Sequence, residues 1–414
     1  MHEQSRYVVG VDIGTTAIRC VVGSIDPTTD TPNIVGVGNS PAVGMRKGSV
    51  VNLQSLAQSL DDTLGEAERM SGYEIDNATI SINGSHIASI KADGMVAVGS
   101  SDRLVSVDDV ARVEDVAVTG KIPANREVLE VVPHSFCLDG QDNIKDPVGM
   151  NGTRLEIVAN IVSALSPNLV NLKKAADSAG VSPNKIVPAV LAGSRAVLND
   201  KQMENGVAVI DLGGSTTSLA VFEDGDLQYV GVVPVGGNNI TNDLAIKLKV
   251  DPETAEVVKL KHSSSVNREK NQTVKIKKDE QNLEFDTDDI DEAVTARLEE
   301  IFESVENELK KAGKAEQLPS GVVLIGGGAN MQSIADFVRD KLNLAAKVGK
   351  PSEMSGLSDK VGQPEFSVAL GLMLIDNENM GQKSKKKSDK NNSSGSFMAS
   401  MNDFIKNIFG KSKS

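Results

Sequence analysis

Residues 9–23 read VGVDIGTTAIRCVVG, and residues 208–222 read AVIDLGGSTTSLAVF. Each stretch is an apolar run, an Asp, an apolar residue, a glycine turn with hydroxyl residues, and a second apolar run. The runs fit buried strands, so each stretch predicts a β-hairpin. Gly14, Gly213 and Gly214 permit tight turns through which backbone N–H groups approach an anion closely. Thr15, Thr16, Ser215 and Thr216 add hydroxyl donors. Asp12 and Asp211 cannot ligate phosphate, but a carboxylate there suits a hydrated Mg²⁺ that neutralises phosphate charge. A single short glycine motif is matched easily by chance. The duplication makes coincidence a poor account, and two such hairpins from two domains can clamp one triphosphate.

Three further elements fit the clamp. Gly326, Gly327 and Gly328 follow the buried strand VVLI and precede a helix; backbone without side chains can lie flat against a base or ribose. Gly236, Gly237 and Asn238 form another strand-to-helix turn, whose helix N-terminus favours an anion. Glu256 and Lys259 stand three apart on a predicted helix, hence on one face. Together they can satisfy ribose hydroxyls and the adenine edge, although such a pair taken alone reads first as a solvated salt bridge.

Working outward, a chain of 414 residues carries roughly two to four domains and buries its core without staples. With 39% hydrophobic and 24% charged residues it has the composition of a soluble globular protein. A net charge of -14, with no Trp and three Tyr, argues against nucleic acid as a partner. Two lone cysteines suggest a reducing compartment, and the four His lack metal-ligand spacing. The N-terminus is too polar for a signal peptide, and no segment reaches the roughly 18 apolar residues of a membrane span. The expected location is the cytoplasm. Leu53 to Met70 reads as a helix with Leu56, Leu60 and Leu64 on one face. Residues 85–164 change character, with short strands around Ile87 to Ile90 and Val128 to Phe136 and a helix near Asp108 to Val118. They form an inserted α+β unit.

The order of these motifs resembles the superfamily of actin, sugar kinases and heat-shock chaperones. DIGTT and DLGGSTT look like its phosphate motifs, VVLIGGGAN like its adenosine motif, and PAVLAGSRAVL and SVALGLML like its two connecting helices. GVGNSPAVGMRKGSVVNL, KDPVGMNGTRLEI, VPVGGNNITNDLA and TAEVVKLKHS resemble, more particularly, the FtsA family of bacterial cell-division proteins, over residues 6 to 376. The resemblance implies an α/β actin-like two-domain fold with duplicated sheet-and-helix halves, ATP and Mg²⁺ as cofactors, and slow or absent hydrolysis. Active hydrolases of the superfamily place an acid or amide in the first connecting helix, and PAVLAGSRAVLND has none before Asn199. It further implies subdomain IA over 1–84 and 165–200, an inserted IC over 85–164 replacing actin's IB, IIA over 201–242 and 315–376, and IIB over 243–314.

The family's partners follow by the same resemblance: the FtsZ C-terminal peptide on IIB, self-association into filaments, later division proteins on IC, and an anionic membrane, at the division septum and its Z-ring. Arg297, in VTARLEEIFESVENEL, matches the docking helix; it can pair an incoming carboxylate bidentately, or equally pair Glu300, Asp291 or Glu292 nearby. Residues 377–396 are too polar to bury a core and read as a disordered linker. Beyond it Phe397, Met401, Phe404, Ile405 and Ile408 follow helical spacing, with Phe409 extending the apolar side and Lys406 facing headgroups. This pattern is an interfacial amphipathic helix. From Asn377 onward eight Lys face three acids, +5, leaving -19 on the body. A small-molecule kinase of the superfamily and a PilM-like pilus scaffold are the alternatives; the first lacks a visible acceptor base, and the tail disfavours the second.

Overall fold

The computed structural model describes residues 6–25, 32–265, 272–278, 281–351 and 355–388. Each repeated hairpin becomes the centre of a sheet. In the first sheet Arg6–Ile13 lies between Ala17–Ile25 and Asn77–Ile82, with Pro32–Pro41 beyond one and Ser182–Pro188 beyond the other. In the second, Val207–Leu212 lies between Thr217–Glu223 and Val322–Ile325, flanked by Asp226–Val233 and Ala346–Val348. In both, the three strands on the hairpin side are antiparallel and the remainder parallel. The central strands are apolar over most of their length, with Asp12 and Asp211 near their ends, because helices cover both faces. This is the duplicated α/β architecture expected from the repeat.

The helix Leu53–Ser71 starts at Asn52, whose side chain accepts from the Ser55 N–H, and stops at Gly72 with φ 69°. It buries Leu56, Leu60 and Leu64 against the first sheet. The helices Ala189–Val197 and Ser367–Ser388 join the halves and pack on each other. Their approach requires glycine: a Cβ on Gly371 would stand 1.7 Å from the Ala192 carbonyl oxygen. One buried cluster runs from Val9, Val11 and Leu60 through Val190 and Ala192 to Val209 and Ile325. The two halves therefore share a core.

The last helix departs from the sequence reading. It continues through residues 377–388, which composition assigns to a linker. Tertiary contacts hold the helix where it crosses the expected boundary. The carboxylate of Asp376 accepts from the Val9 N–H at 3.0 Å, the Thr79 hydroxyl at 2.7 Å and the Asn184 amide at 3.0 Å. Arg6 donates to Asn377, and Arg195 holds Glu378 at 2.7 Å.

The inserted unit is a four-stranded sheet in the order Ala88–Ala97, Arg154–Leu165, Arg126–Leu138, Gln141–Ile144, packed by the helix Val107–Val118. The sequence reading anticipates short pieces of two strands and misses the central one, Arg154–Leu165. Its alternation stops at Ala159, from which six consecutive residues are buried, so period-2 patterning fails there. The helix begins with a reciprocal cap between Ser106 and Asp109. Burial opposes ionisation of Asp109, but hydrogen bonds from Ser106, Gly99 and Arg112 win and hold its pKa at about 2. Among the described residues no helix is long and apolar enough to cross a membrane, and Cys20 and Cys137 are both free.

Candidate functional site

Both hairpin turns close in the same way. The Gly14 N–H donates to the Ala17 carbonyl at 3.1 Å and the Gly213 N–H to the Thr216 carbonyl at 3.0 Å. Thr15, Thr16, Gly214 and Ser215 are thereby left at the turn tips. The tips meet across a cleft between the halves: a Cβ on Gly214 would lie 2.4 Å from the Thr16 methyl. The cleft encloses about 390 Å³ and is lined by Asp12, Gly14, Thr15, Thr16, Asp211, Gly213, Gly214 and Thr216 from the hairpins. Gly326, Gly327 and Gly328 form another wall, and Gly237, Asn238, Glu256 and Lys259 a third.

The two aspartates stand at the ends of the two central strands, Asp12 at 8% and Asp211 at 6% exposure. Burial raises the pKa of Asp12, while the charge of Arg19 and the Ser81 hydroxyl pull it back. Burial also raises Asp211, the charge of Asp12 raises it further, and it reaches about 7 despite Arg19. Two buried carboxylates, one of them raised further by the charge of the other, lack sufficient positive charge around them. That is a donor set suited to a divalent cation, and the fit rests on these groups alone.

The remaining candidates divide. Glu256 and Lys259 form a salt bridge of 2.7 Å, and Lys259 also donates to the Gly237 carbonyl at 3.2 Å and to Thr241 at 2.8 Å. They are both an internal pair and part of the cleft wall. A Cβ on Gly327 would meet nothing within 4 Å, so this backbone faces open space. Ser215 and Gly236 act as buttresses: Ser215 accepts from the Asn238 side chain at 3.2 Å, and a Cβ on Gly236 would lie 2.6 Å from the Gly213 oxygen. The helix starting at Gly237 directs the Gly237 and Asn238 N–H groups to the Gly213 and Gly214 carbonyls, at 2.9 and 2.6 Å. Those two amides position the second hairpin and are committed to it, so the helix N-terminus is less open to an anion than the sequence suggests.

Arg297 lies apart from the cleft. Its guanidinium grips Asp243 at 2.6 and 3.0 Å and Glu300 at 2.5 Å. The anticipated intrahelical pair with Glu300 is present, joined by a longer-range one. Arg297 lines a shallow groove with Asp243, Ile246, Lys247, Ala293 and Glu300. Ile246 is 77% exposed there. The tail positions Phe397, Met401, Phe404, Ile405, Lys406, Ile408 and Phe409 lie outside the described residues.

Sequence reasoning missed two residues that line the cleft, Arg19 and Asn83, and one that supports Asp12 from behind, Ser81. Arg19 faces Asp12 directly across the strand ladder. The Ser81 hydroxyl donates to Asp12 and accepts from the Ile13 N–H, both at 2.8 Å. The Asn83 amide donates to the Thr216 hydroxyl at 3.2 Å and accepts from that of Ser218 at 2.9 Å. The available signal was a polar residue inside the apolar strand NATISI and an Asn-Gly just after it.

A family model described as cell division protein FtsA matches residues 208–371, and one described as the SHS2 domain inserted in FtsA matches residues 84–163. The chain is 32% identical over 377 residues to the cell division protein FtsA of Pseudomonas aeruginosa, covering 90% of this chain and 89% of that one. It is 34% identical to the FtsA of Bacillus subtilis over 377 residues, covering 90% and 84%. Among solved structures, the PilM-PilN type IV pilus biogenesis complex superposes with a TM-score of 0.64 at 19% identity, covering 90% of this chain and 98% of that one. MreB5 of Spiroplasma citri bound to ADP superposes with 0.53 at 14%, covering 94% and 99%. These two likenesses establish the actin-like fold.

Proposed function

This chain belongs to the FtsA family of cell-division proteins, and on that premise we propose that it binds Mg-ATP in the cleft, polymerises, and tethers FtsZ filaments to the inner face of the cell membrane. The observation that carries the nucleotide reading is the pair of opposed hairpins with Asp12 and Asp211 between them. Gly14, Thr15, Thr16, Gly213, Gly214 and Thr216 would surround the phosphates, with Ser215 behind them. Gly326 to Gly328, Gly237, Asn238, Glu256 and Lys259 would receive the nucleoside, with Gly236 beneath. Asp12 and Asp211 would hold magnesium, largely through its water shell, and the ion would supply charge that offsets the phosphates. Hydrolysis is slow in this reading, because the helix Ala189–Val197 brings Ala189 to the cleft wall and no acid or amide.

The groove at Arg297 is the proposed seat of the FtsZ C-terminal peptide. Exposed Ile246 offers apolar contact, and Lys247, already near Asp289 and Glu292 at 3.2 and 2.7 Å, offers charge. Arg297 shapes the groove through Asp243. Residues 397–414 are the proposed anchor. At 1.5 Å per residue its apolar stretch, 397–409, is about 20 Å long as a helix and lies on the bilayer. Its few apolar side chains give weak attachment singly, and filaments make it stable by multiplying tails. The inserted subdomain is the proposed platform for later division proteins, at the septum.

Fluorescent ATP titrated into wild type and Gly327→Glu tests the cleft. The variant places a charged side chain in open space against the nucleoside, and binding should fall at least about a hundredfold by the cost of burying an unpaired charge. Equal binding by the two proteins removes the assignment. Deleting residues 397–414 should leave ATP binding intact and abolish pelleting with anionic liposomes; continued pelleting refutes the anchor.

A further inference from the structure

The inserted subdomain belongs covalently to the first half, yet its polar side chains grip the second. Asp226–Val233 is the edge strand of the second sheet, and an edge strand presents unpaired backbone groups. The insertion covers them. The Ser89 hydroxyl donates to the Val230 carbonyl at 2.9 Å and accepts from the Val230 N–H at 3.0 Å. The Asn160 amide, 2% exposed, donates to the Leu227 carbonyl. Lys145 reaches the Asp224 carbonyl at 3.1 Å and pairs with the Asp226 carboxylate. The His134 ring nitrogen Nδ1 lies 3.0 Å from the Gln228 amide.

A second set of contacts ties the root of the insertion to the cleft. Asn83 is the residue after the strand Asn77–Ile82 and contacts Thr216 and Ser218 of the second hairpin. Its side-chain oxygen also accepts from the Gly84 N–H at 2.8 Å. Gly84 has φ +136°, a conformation that suits glycine and concentrates rotation at one residue. Within the insertion, Arg126 closes the root by donating to the His86 carbonyl at 2.7 Å and the Ser163 carbonyl at 2.8 Å, and Lys185 of the first half pairs with the insertion's buried Glu130 at 3.2 Å.

We propose that the inserted subdomain is a strap across the two halves that limits how often the cleft opens, and so sets the rate of nucleotide exchange. Separating the halves must either break the seam on Asp226–Val233 or turn the insertion about its root at Gly84, which displaces Asn83 from Thr216. Hydrogen bonds are lost within an ångström or so of stretching, so the seam resists the first stages of opening. The cleft and the seam thus communicate through Thr216, Asn83 and Ser89, over a stretch of seven residues from 83 to 89. The exchange rate rests on the nucleotide reading above; the seam itself does not.

The test uses the full chain with paired substitutions Ser89→Ala and Asn160→Ala, and with Lys121→Ala as a control; Lys121 contacts Asp93 within the insertion at 3.3 Å. Release of fluorescent ATP is followed by stopped flow after a chase of unlabelled ATP. The double variant should release about tenfold faster, the factor corresponding to about one hydrogen bond of net stability, while the control matches wild type. Hydrogen exchange on residues 226–233 should speed up, with residues 154–165 still protected as evidence that the insertion remains folded. Unchanged release and unchanged exchange in a folded double variant overturn the strap. If the double variant does not fold, Ser89→Ala alone carries the same two readouts. If wild type binds no ATP, the nucleotide reading fails, and unaltered exchange on 226–233 in the variant then overturns the strap independently.

Discussion

The two halves carry the same hairpin on the same strand order, but their aspartates have different neighbours. Asp12 faces Arg19 across its ladder and Asp211 faces Ser218. In the adjoining parallel strands, Ser81 reaches Asp12 with its hydroxyl, whereas the residue beside Asp211 is Ile325. The strand exits differ as well. After Ile82 the first half continues through Asn83 and Gly84 into the insertion; after Ile325 the second turns at once through Gly327–Asn330. The duplicated scaffold supplies the opposed turns, and the neighbours make the two carboxylates unequal. Asp12 is partly compensated by Arg19 and Ser81, whereas Asp211 has Arg19 but no hydroxyl partner and bears the added charge of Asp12.

The largest effect that sharpens this contrast concerns pH. The Asp211 carboxyl titrates near 7 in the fold, against about 3.9 in an unfolded chain. Between those values the folded state keeps a proton that the unfolded state has released. Its favourable contribution is full below about pH 4, declines as pH rises, and is gone above about pH 7. Ligand-free protein should lose on the order of a few kcal/mol across that window from this group. Asp211→Asn should flatten the stability profile measured by denaturant melts, and Asp12→Asn should move the Asp211 step to lower pH by removing the neighbouring charge. A profile that Asp211→Asn leaves unchanged would remove the titration from this site.

A smaller effect exchanges the hairpins. Gly214 occupies the place of Thr15 in the repeat, so Gly214→Thr makes the turns alike. The new side chain would meet Thr16, where even a Cβ stands 2.4 Å from the methyl. Binding of fluorescent ATP should weaken about a hundredfold from overpacking. The reciprocal Thr15→Gly removes a hydroxyl that accepts the Gly48 N–H at 3.2 Å and should cost about tenfold or less. Comparable losses would mean the turns are interchangeable.

The smallest effect is Ser81→Ala. It removes one donor to Asp12 and one acceptor for Ile13, and should lower stability by about 1–3 kcal/mol through the groups left unsatisfied. Ile325→Val, the matching change beside Asp211, should cost about 0.5–1.5 kcal/mol as a small cavity. A reversal of that order in thermal melts would show that the second sheet's packing outweighs the first sheet's polar bridge.

What could be read from the chain alone was what repeats or alternates. The two hairpins, their aspartates, the glycine cluster after VVLI and the helix bearing Leu56, Leu60 and Leu64 are local patterns, because strand burial, tight turns and helix faces are set by neighbouring residues. They determined the actin-like class and most of the cleft wall. Tertiary structure decided the rest. Ser81 and Asn83 acquire meaning only when strand pairing sets them beside Asp12 and Thr216, far away in sequence. The last helix passes the linker boundary read at 377 because Arg6 and Arg195 reach across the fold to Asn377 and Glu378. Arg297 holds Asp243 as well as its own helix neighbour because two helices of the second half pack together. The insertion's grip on Asp226–Val233 is likewise invisible in any window of sequence, since hydrogen bonds between distant segments are chosen by how whole layers stack, and no local periodicity records that choice.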